Sequence, residues 1–392
     1  MFNKTISIIG GAGHVGAPLG LAFSSKGYKV VLIDKNIKNI KKINNGKMPF
    51  LEEGCEKLLK KMISKKRIIA SSDLNNVKKS KYIIICLGTP VNKSFNPILN
   101  NFVNFFYLLK KHLNKKHIVI IRSSIFPGIS DKVFKIIKSK CKNLSYCPER
   151  IAQGKSLKEL PKLAQIVSGK NLKAKIESGK IFKKISKKII HTEITEAELI
   201  KLFSNAYRYI NFSISNQFYM MCKDLGLDFN KIREFMRDNY DRNINIAQAG
   251  FTAGPCLLKD TMQLSSFFKH KFLLGNSAML VNENLPIYIV KKLSEKVKLR
   301  NKIVGILGMS FKAENDDIRD SLSIKLLKYL KSKKVKTLQS DEYYKDEKNV
   351  DKKFLINKSD IIIVATPHKA YRNLRVKKSK ILIDIWSIIE KK

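Results

Sequence analysis

Within AGFTAGPCLLKD, residues 249–260, a single thiol follows two glycines and precedes a Lys-Asp pair. Gly250 and Gly254 let a backbone come close to a ligand. Lys259 and Asp260 are groups that could tune or use a thiolate at Cys256, which would then attack an electrophilic carbon. Most free cysteines are small buried apolar residues, so that reading stands beside the nucleophile. In a helix, Cys256 and Asp260 would share a side. Lys201 and Asn205, in EAELIKLFSN, have the same spacing. They are either a cation and an amide aimed at one oxygen, or part of a solvated stripe in which Glu198 pairs with Lys201. Glu149 and Arg150, in CPERIAQG, offer a base and an anion-binding cation, or simply a surface ion pair. FKAENDDIRDS gathers Lys312, Asp316, Asp317 and Arg319 after a strand, as a charged site or a polar loop.

Such groups need a scaffold, and the N-terminus supplies its first signal. TISIIG reads as a buried strand, and Val15–Lys26 as a helix. Between them GGAGHVG holds Gly11, Gly13 and Gly16 in G-x-G-x-x-G spacing. The first glycine permits a tight turn and the second lets the backbone approach a pyrophosphate. The third allows close helix–strand packing, and the helix start supplies amide donors. KVVLID is the next strand and ends on Asp34, placed to bond ribose hydroxyls and repel a 2′-phosphate. NAD is therefore expected over NADP, with Lys35 beside Asp34. Thr89 in LGTP, and Ser123 and Ser124 in RSSIFPG, follow further apolar strands, where the ligand crevice of such a sheet lies.

The chain of 392 residues is long enough for two or three domains. Strand–helix alternation predicts an α/β, Rossmann-like doubly wound domain over 1–190. A segment without Gly or Pro then predicts one long helix, from Thr192 or Thr195 to Gly226, in a central helical domain over 191–298. Alternation returns in a smaller α/β domain over 299–392. No apolar run reaches membrane-spanning length. Six cysteines without a CxxC pair suggest reduced thiols in a cytoplasm. The net charge of +45 comes from lysines scattered over every segment, without aromatic interleaving. That argues against nucleic-acid binding.

Taken in order, GHVG with Asp34, RSSIFPG, CPERIAQG, EAELIKLFSNAYR, GPCLLKD and FKAENDDIRDS make the chain resemble the UDP-glucose/GDP-mannose dehydrogenase family, from about residue 5 to 386. The resemblance implies oxidation of a UDP-sugar C6 alcohol to the uronic acid, with two NAD and no metal. It implies that Cys256 is the nucleophile, through a thiohemiacetal and a thioester. Lys201 would stabilise the oxyanion, Asn205 orient it or a water, Asp260 activate water, and Glu149 act as acid/base. Gly11, Gly13, His14, Val15, Gly16, Asp34, Lys35, Thr89, Ser124 and Arg319 would face the cofactor. Glu149, Arg150, Lys201, Asn205, Arg242, Phe251, Gly254 and Lys312 would face the substrate. The long helix would form the core of a homodimer.

Two features leave the sugar open between UDP-glucose and a UDP-N-acetylhexosamine. GHVGAPLG and CPER resemble the N-acetylhexosamine branch, whereas CLLKD keeps the Lys-Asp of the UDP-glucose branch. TAGPC also replaces the commoner Gly-Gly-x-Cys, and Ser124 stands where threonine is usual. A non-catalytic NAD-binding protein of the same fold would have no need of Cys256, Lys201, Asn205, Asp260 and Glu149 together.

Overall fold

The computed structural model describes residues 2–92, 96–252 and 254–389; Ala253 of TAGPC lies outside them. The chain forms two compact units, Met1–Ser204 and Asn205–Lys392.

In the first unit β1 (Thr5–Ile9) lies between β2 (Lys29–Ile33) and the later strand of Tyr82–Ile85. All five β1 residues are buried, as expected for a parallel strand covered on both faces. The helix α1 (Gly16–Ser25) joins β1 to β2. The helices α2 (Ile37–Asn44) and α3 (Cys55–Ser64) then lead to β3 (Ile68–Ser71) and on to β4 (Tyr82–Ile85). Next come α4 (Asn100–Lys110), β5 (Ile118–Ile121), α5 (Ile129–Ile137) and β6 (Leu144–Tyr146). The short α6 (Ser156–Glu159), β7 (Gln165–Gly169), α7 (Leu172–Phe182) and β8 (Ile189–His191) complete the sheet.

Strand order is β3-β2-β1-β4-β5-β6-β7-β8. The first six strands are parallel in the dinucleotide-fold order, which changes direction between β1 and β4. The doubly wound pattern stops at β7, which pairs antiparallel to β6 through Ser145–Gly169 and Tyr146–Ser168. The two-residue period of a strand sorts the apolar side chains into two cores. Ile6, Ile8, Leu32, Ile84 and Ile120 face α1 and α3. Ile9, Ile33, Ile83, Ile85 and Ile121 face α4 and α5.

Helix starts follow the sequence. Asn36, Asn171, Asp228, Ser321 and Asp351 each accept an N–H from the first turn of the helix they precede. The long helix is α8 (Ile194–Asp224). It ends where Gly226 takes φ +73° and Leu227 N–H donates to the Cys222 carbonyl, the left-handed stop that glycine favours. The unit boundary falls inside α8, because Ile194, Ala197 and Ile200 pack into the core of the first unit.

The second unit contains α9 (Phe229–Arg237), α10 (Leu257–Phe267) and α11 (Leu273–Lys296). These are followed by β9 (Ile303–Leu307), α12 (Leu322–Ser332), β10 (Lys336–Ser340), α13 (Lys352–Lys358), β11 (Ile361–Val364) and β12 (Ile381–Asp384). Its parallel sheet has the order β10-β9-β11-β12. One continuous core joins Leu285, Ile289 and Leu293 of α11 to Val304 and Ile306 of β9 and to Leu326 of α12. The helical segment and the C-terminal sheet are therefore one compact body.

Candidate active site

The glycine turn is shaped by close approach. A Cβ on Gly11 would stand 2.6 Å from Leu32 Cα, and one on Gly16 would stand 2.4 Å from the Gly10 carbonyl oxygen. At Gly13 the same atom would meet only the Gly10 oxygen, at 3.3 Å. Gly13 is thus the glycine with room in front of it, and the exposed Val15 starts α1 without a side-chain cap. An uncapped helix start beside an open glycine suits a pyrophosphate. Asp34 accepts the Ala12 N–H at 3.0 Å through Oδ2 and the Asn36 N–H at 3.0 Å through Oδ1. It therefore fixes the turn. A carboxylate has about four acceptor positions, so it also has capacity for ribose hydroxyls. These residues fit NAD. Lys35 is exposed. The centre of the His14 ring lies 3.9 Å from that of Phe50, with the planes tilted by 34°, and His14 Nδ1 lies 2.9 Å from Gln153 Nε2.

The loops after β4 and β5 meet where Thr89 Oγ1 donates to the Ser124 carbonyl at 2.6 Å. Ser123 bonds to the Ile85 carbonyl instead. Glu149, just past β6, accepts the Arg150 and Ile151 N–H groups at 2.8 and 3.0 Å. Its other oxygen accepts both Nε and a terminal nitrogen of Arg122, at 3.0 and 2.7 Å. Glu149 and Arg150 are therefore not an exposed ion pair. Arg150 donates to the Ala164 carbonyl, and burial lowers its pKa.

Glu198 departs from the expected helix ion pair. It is buried and accepts the Gly128 and Ser130 N–H groups and the Ser130 hydroxyl, at 3.0, 3.1 and 2.6 Å. It thus caps α5 from α8. Burial pushes its carboxyl up from the usual range, against the three donors. Lys201, one turn later on α8, is also buried.

In the second unit, Asn205 Nδ2 donates to Asp260 Oδ2 at 2.6 Å, and Lys259 Nζ is paired with Asp260 Oδ1. Asp260 N–H donates to the Cys256 carbonyl, which places the carboxylate one turn after the cysteine that caps α10. Cys256 is the only exposed cysteine of the six. Burial pushes the thiols of Cys55, Cys86 and Cys147 up to about 12, and those of Cys141 and Cys222 upward. Arg319 forks onto Asp317 through Nε and Nη2, at 2.9 and 2.6 Å. That contact raises its pKa, with Cys256 and Asp320 adding electrostatic contributions.

The loop before Cys256 packs closely against the chain itself. The glycines before Cys256 make room for side chains of the protein itself. A Cβ on Gly250 would stand 2.4 Å from the Trp386 ring, and one on Gly254, at φ +105°, would stand 2.4 Å from Phe311. Phe251 is a core side chain at 3% exposure. Arg242 is exposed and lies over the Tyr240 ring. Lys312 is half-buried. Arg122 was not singled out from the sequence, and Glu198 only as a helix partner of Lys201. The available signal was a charged residue ending an apolar strand in HIVIIRSS, and an acid inside an otherwise apolar helix face.

Among the described residues, no group of three or more His, Cys, Asp or Glu could hold a metal ion. No helix among them is long and apolar enough to cross a membrane.

Residues 4–190, 195–284 and 305–391 match, in turn, the NAD binding, central and UDP binding domains of the UDP-glucose/GDP-mannose dehydrogenase family. A UDP-N-acetyl-D-mannosamine dehydrogenase of Pyrococcus horikoshii is 27% identical over 399 residues, covering 97% of this chain and 95% of that one. The solved structure of a UDP-D-ManNAc dehydrogenase from Pyrococcus horikoshii matches with a TM-score of 0.92 at 26% identity, covering 99% of this chain and 96% of the other. A UDP-glucose 6-dehydrogenase of Rickettsia bellii is 25% identical over 416 residues, covering 97% and 92% of the two chains.

Proposed function

The chain belongs to the UDP-glucose/GDP-mannose dehydrogenase family, and from that premise we propose that it oxidises the C6 alcohol of UDP-N-acetyl-D-mannosamine to the uronic acid. It is an NAD-dependent nucleotide-sugar dehydrogenase. Bound NAD supplies the acceptor for the two hydrides that an alcohol gives up in becoming an acid.

The chain's own residues are assigned as follows. Cys256 forms a carbon–sulfur bond with the intermediate aldehyde, whose oxygen takes up a proton to give a thiohemiacetal. Lys201 and Asn205 stabilise and orient that oxygen. After the second oxidation the sugar carbon is held as a thioester. Water adds to it, the carbon–sulfur bond breaks, and Cys256 is released as the acid forms, with Asp260 assisting the water. The exposure of Cys256, beside four buried cysteines and the half-buried Cys86, supports its assignment. Lys312 and Arg242 are assigned to the substrate, and Ser124 and Arg319 to the cofactor. Six free cysteines, four of them buried, also suit a reducing cytoplasm.

The end-to-end similarity to the Pyrococcus horikoshii enzyme carries the choice of sugar. UDP-glucose is the competing reading, favoured by Lys259 before Asp260. The test is a panel of UDP-ManNAc, UDP-GlcNAc, UDP-glucose and GDP-mannose with NAD, following NADH. UDP-ManNAc should have the highest kcat/KM and yield two NADH per sugar. A higher kcat/KM with UDP-glucose would reverse the choice.

We also propose a homodimer formed through α8. Leu202, Ala206, Tyr209 and Ser213 of α8 are buried within their own chain. The available surface is a stripe of Phe203, Tyr207, Ile214, Phe218, Met221 and Leu225, each between 37% and 74% exposed.

A further inference from the structure

In the C-terminal sheet, β9 lies between β10 and β11, all parallel. The chain changes direction between β9 and β11, and in an open parallel sheet a ligand crevice lies at such a point, outside the carboxyl ends of the strands. The loops after these two strands are in close contact. A Cβ on Gly308, at φ +90°, would stand 2.4 Å from Thr366 Cβ, and Thr366 Oγ1 donates to the Ser310 carbonyl at 2.6 Å. The turn after β9, residues 309–317, carries Lys312 and lies within the segment that matches the UDP binding domain.

His368, in the loop after β11, is fully buried against this turn. Its ring centre lies 5.0 Å from that of Tyr343 and 5.3 Å from that of Tyr371. Nδ1 accepts the Glu314 N–H at 3.0 Å. A backbone amide can only donate, so the ring hydrogen is on Nε2. That hydrogen faces Asp341 Oδ2, at 3.3 Å. Asp341, the first residue after β10, also accepts the N–H groups of Met309 and Ser310, at 2.6 and 2.9 Å, and the Ser310 hydroxyl at 2.9 Å. Asp341 thus holds the start of the turn and orients His368, which holds its far side.

That far side is strained. Glu314 has φ +56°, in the left-handed region that residues other than glycine rarely adopt. Such a conformation persists only where its surroundings impose it. Here His368 takes the Glu314 N–H, and the Glu314 carboxylate accepts the Tyr343 hydroxyl at 2.6 Å and the Lys369 N–H at 2.8 Å. Lys312 is two residues before the strained position. We propose that His368 is a positioning residue for substrate binding, holding the turn at Glu314 so that Lys312 is fixed where the UDP part of the substrate sits. The proposal rests on the dehydrogenase reading and on the assignment of Lys312 to the substrate. Fully buried, His368 acts through the turn and not by contact.

The two ring nitrogens can be tested apart. Asparagine puts an acceptor close to the place of Nδ1, and glutamine puts a donor close to that of Nε2. His368→Asn should therefore keep the bond to Glu314, and His368→Gln should lose it. The probe is UDP alone, titrated calorimetrically into the full-length protein. His368→Asn should bind UDP within about threefold of wild type, and His368→Gln roughly tenfold more weakly, the scale of one lost buried hydrogen bond. In His368→Gln the KM for the UDP-sugar should rise in the same proportion, with kcat within about twofold of wild type. The KM for NAD should not change, since the glycine turn lies in the other compact unit. Each variant deletes one of two hydrogen bonds, so a histidine with a merely structural role would make the two alike. Added to Lys312→Ala, His368→Gln should cost no further UDP affinity, because residues acting as one unit are not additive.

NADH formation from a UDP-sugar by the wild type is the control for the dehydrogenase reading. Its failure, with the pattern of UDP affinities intact, would concern that reading alone. Equal affinities in the two variants, an additive loss on Lys312→Ala, or a wild type that does not bind UDP would each overturn the proposal. Nitrogen-15 NMR of the histidine-labelled wild type needs no variant, should His368→Gln fail to fold. His368 should be the neutral Nε2–H tautomer at neutral pH. The Nδ1–H tautomer, or a charged ring, would also overturn it.

Discussion

The Asn205 side-chain amide donates to the Asp260 carboxylate at 2.6 Å, and neither residue is more than 6% exposed. A buried carboxylate is costly unless it is paired and hydrogen-bonded. Here α8 and α10 supply both conditions, through Asn205 and through the ion pair of Lys259 with the other Asp260 oxygen. Asp260 is therefore held in place one turn from Cys256.

If this carboxylate assists water, Asp260→Asn should retain a carbonyl oxygen for Asn205 and lose the basic group. Its kcat should fall by about 10²–10⁴-fold, the usual scale for a missing general base. Intact-mass measurement after mixing with UDP-sugar and NAD should show the protein heavier by a sugar-nucleotide acyl group. A rate within tenfold of wild type and no adduct would remove Asp260 from the mechanism.

Cys256→Ser isolates the covalent step. Because Cys256 is exposed, the change should alter stability by no more than about 0.5 kcal/mol, as for ordinary surface substitutions. NAD binding should be unaffected, since the glycine turn lies in the other compact unit. Acid formation should cease, because a serine hydroxyl is a far weaker nucleophile. Uronic acid production near the wild-type rate would return Cys256 to the rank of an ordinary thiol.

Asp34 should set the choice of cofactor. The kcat/KM with NAD should exceed that with NADP by roughly a hundredfold or more, from lost ribose bonds and charge repulsion of the 2′-phosphate. Asp34→Ser should narrow that ratio. It should also cost about 1 kcal/mol of stability, the usual worth of a hydrogen bond, because Asp34 holds the Ala12 amide as well. Equal use of NADP by the wild type would contradict the assignment.

The glycine turn, Asp34 and the α/β, helical, α/β layout were legible because they depend on local spacing. Val15 and Lys26, taken from the sequence as the ends of the first helix, are the two residues that flank it. The expected stop at Gly226 lies two residues beyond the last helical residue, Asp224. Long-range partners were not legible. Glu198 looked like a partner for Lys201 at helical spacing, yet its donors come from Gly128 and Ser130, which no local pattern can announce. Likewise, the room at Gly250 and Gly254 is filled by Trp386 and Phe311, which are remote in sequence. The antiparallel β7 escaped notice because strand direction leaves no mark on an apolar run.

The same limit explains the revised helix surface. The resemblance named the helix as a whole, and packing assigns one face of it, with Leu202, Ala206 and Tyr209, to the chain itself. The remaining stripe steps by three, four or seven residues from Phe203 to Met221 along one face of α8 and runs on to Leu225 just past its end. A contiguous apolar surface of this kind marks an interaction site. A second copy offers the self-complementary partner of a two-fold interface. Sedimentation at micromolar concentration should therefore give twice the 44.9 kDa of one chain. Tyr207→Glu combined with Met221→Glu places charges at two exposed positions, 63% and 52%. They should leave the monomer folded, since neither side chain is in its core, and should dissociate the dimer by putting like charges into an apolar contact. A wild type that sediments as a monomer, or a double variant that remains dimeric, would exclude α8 as the interface.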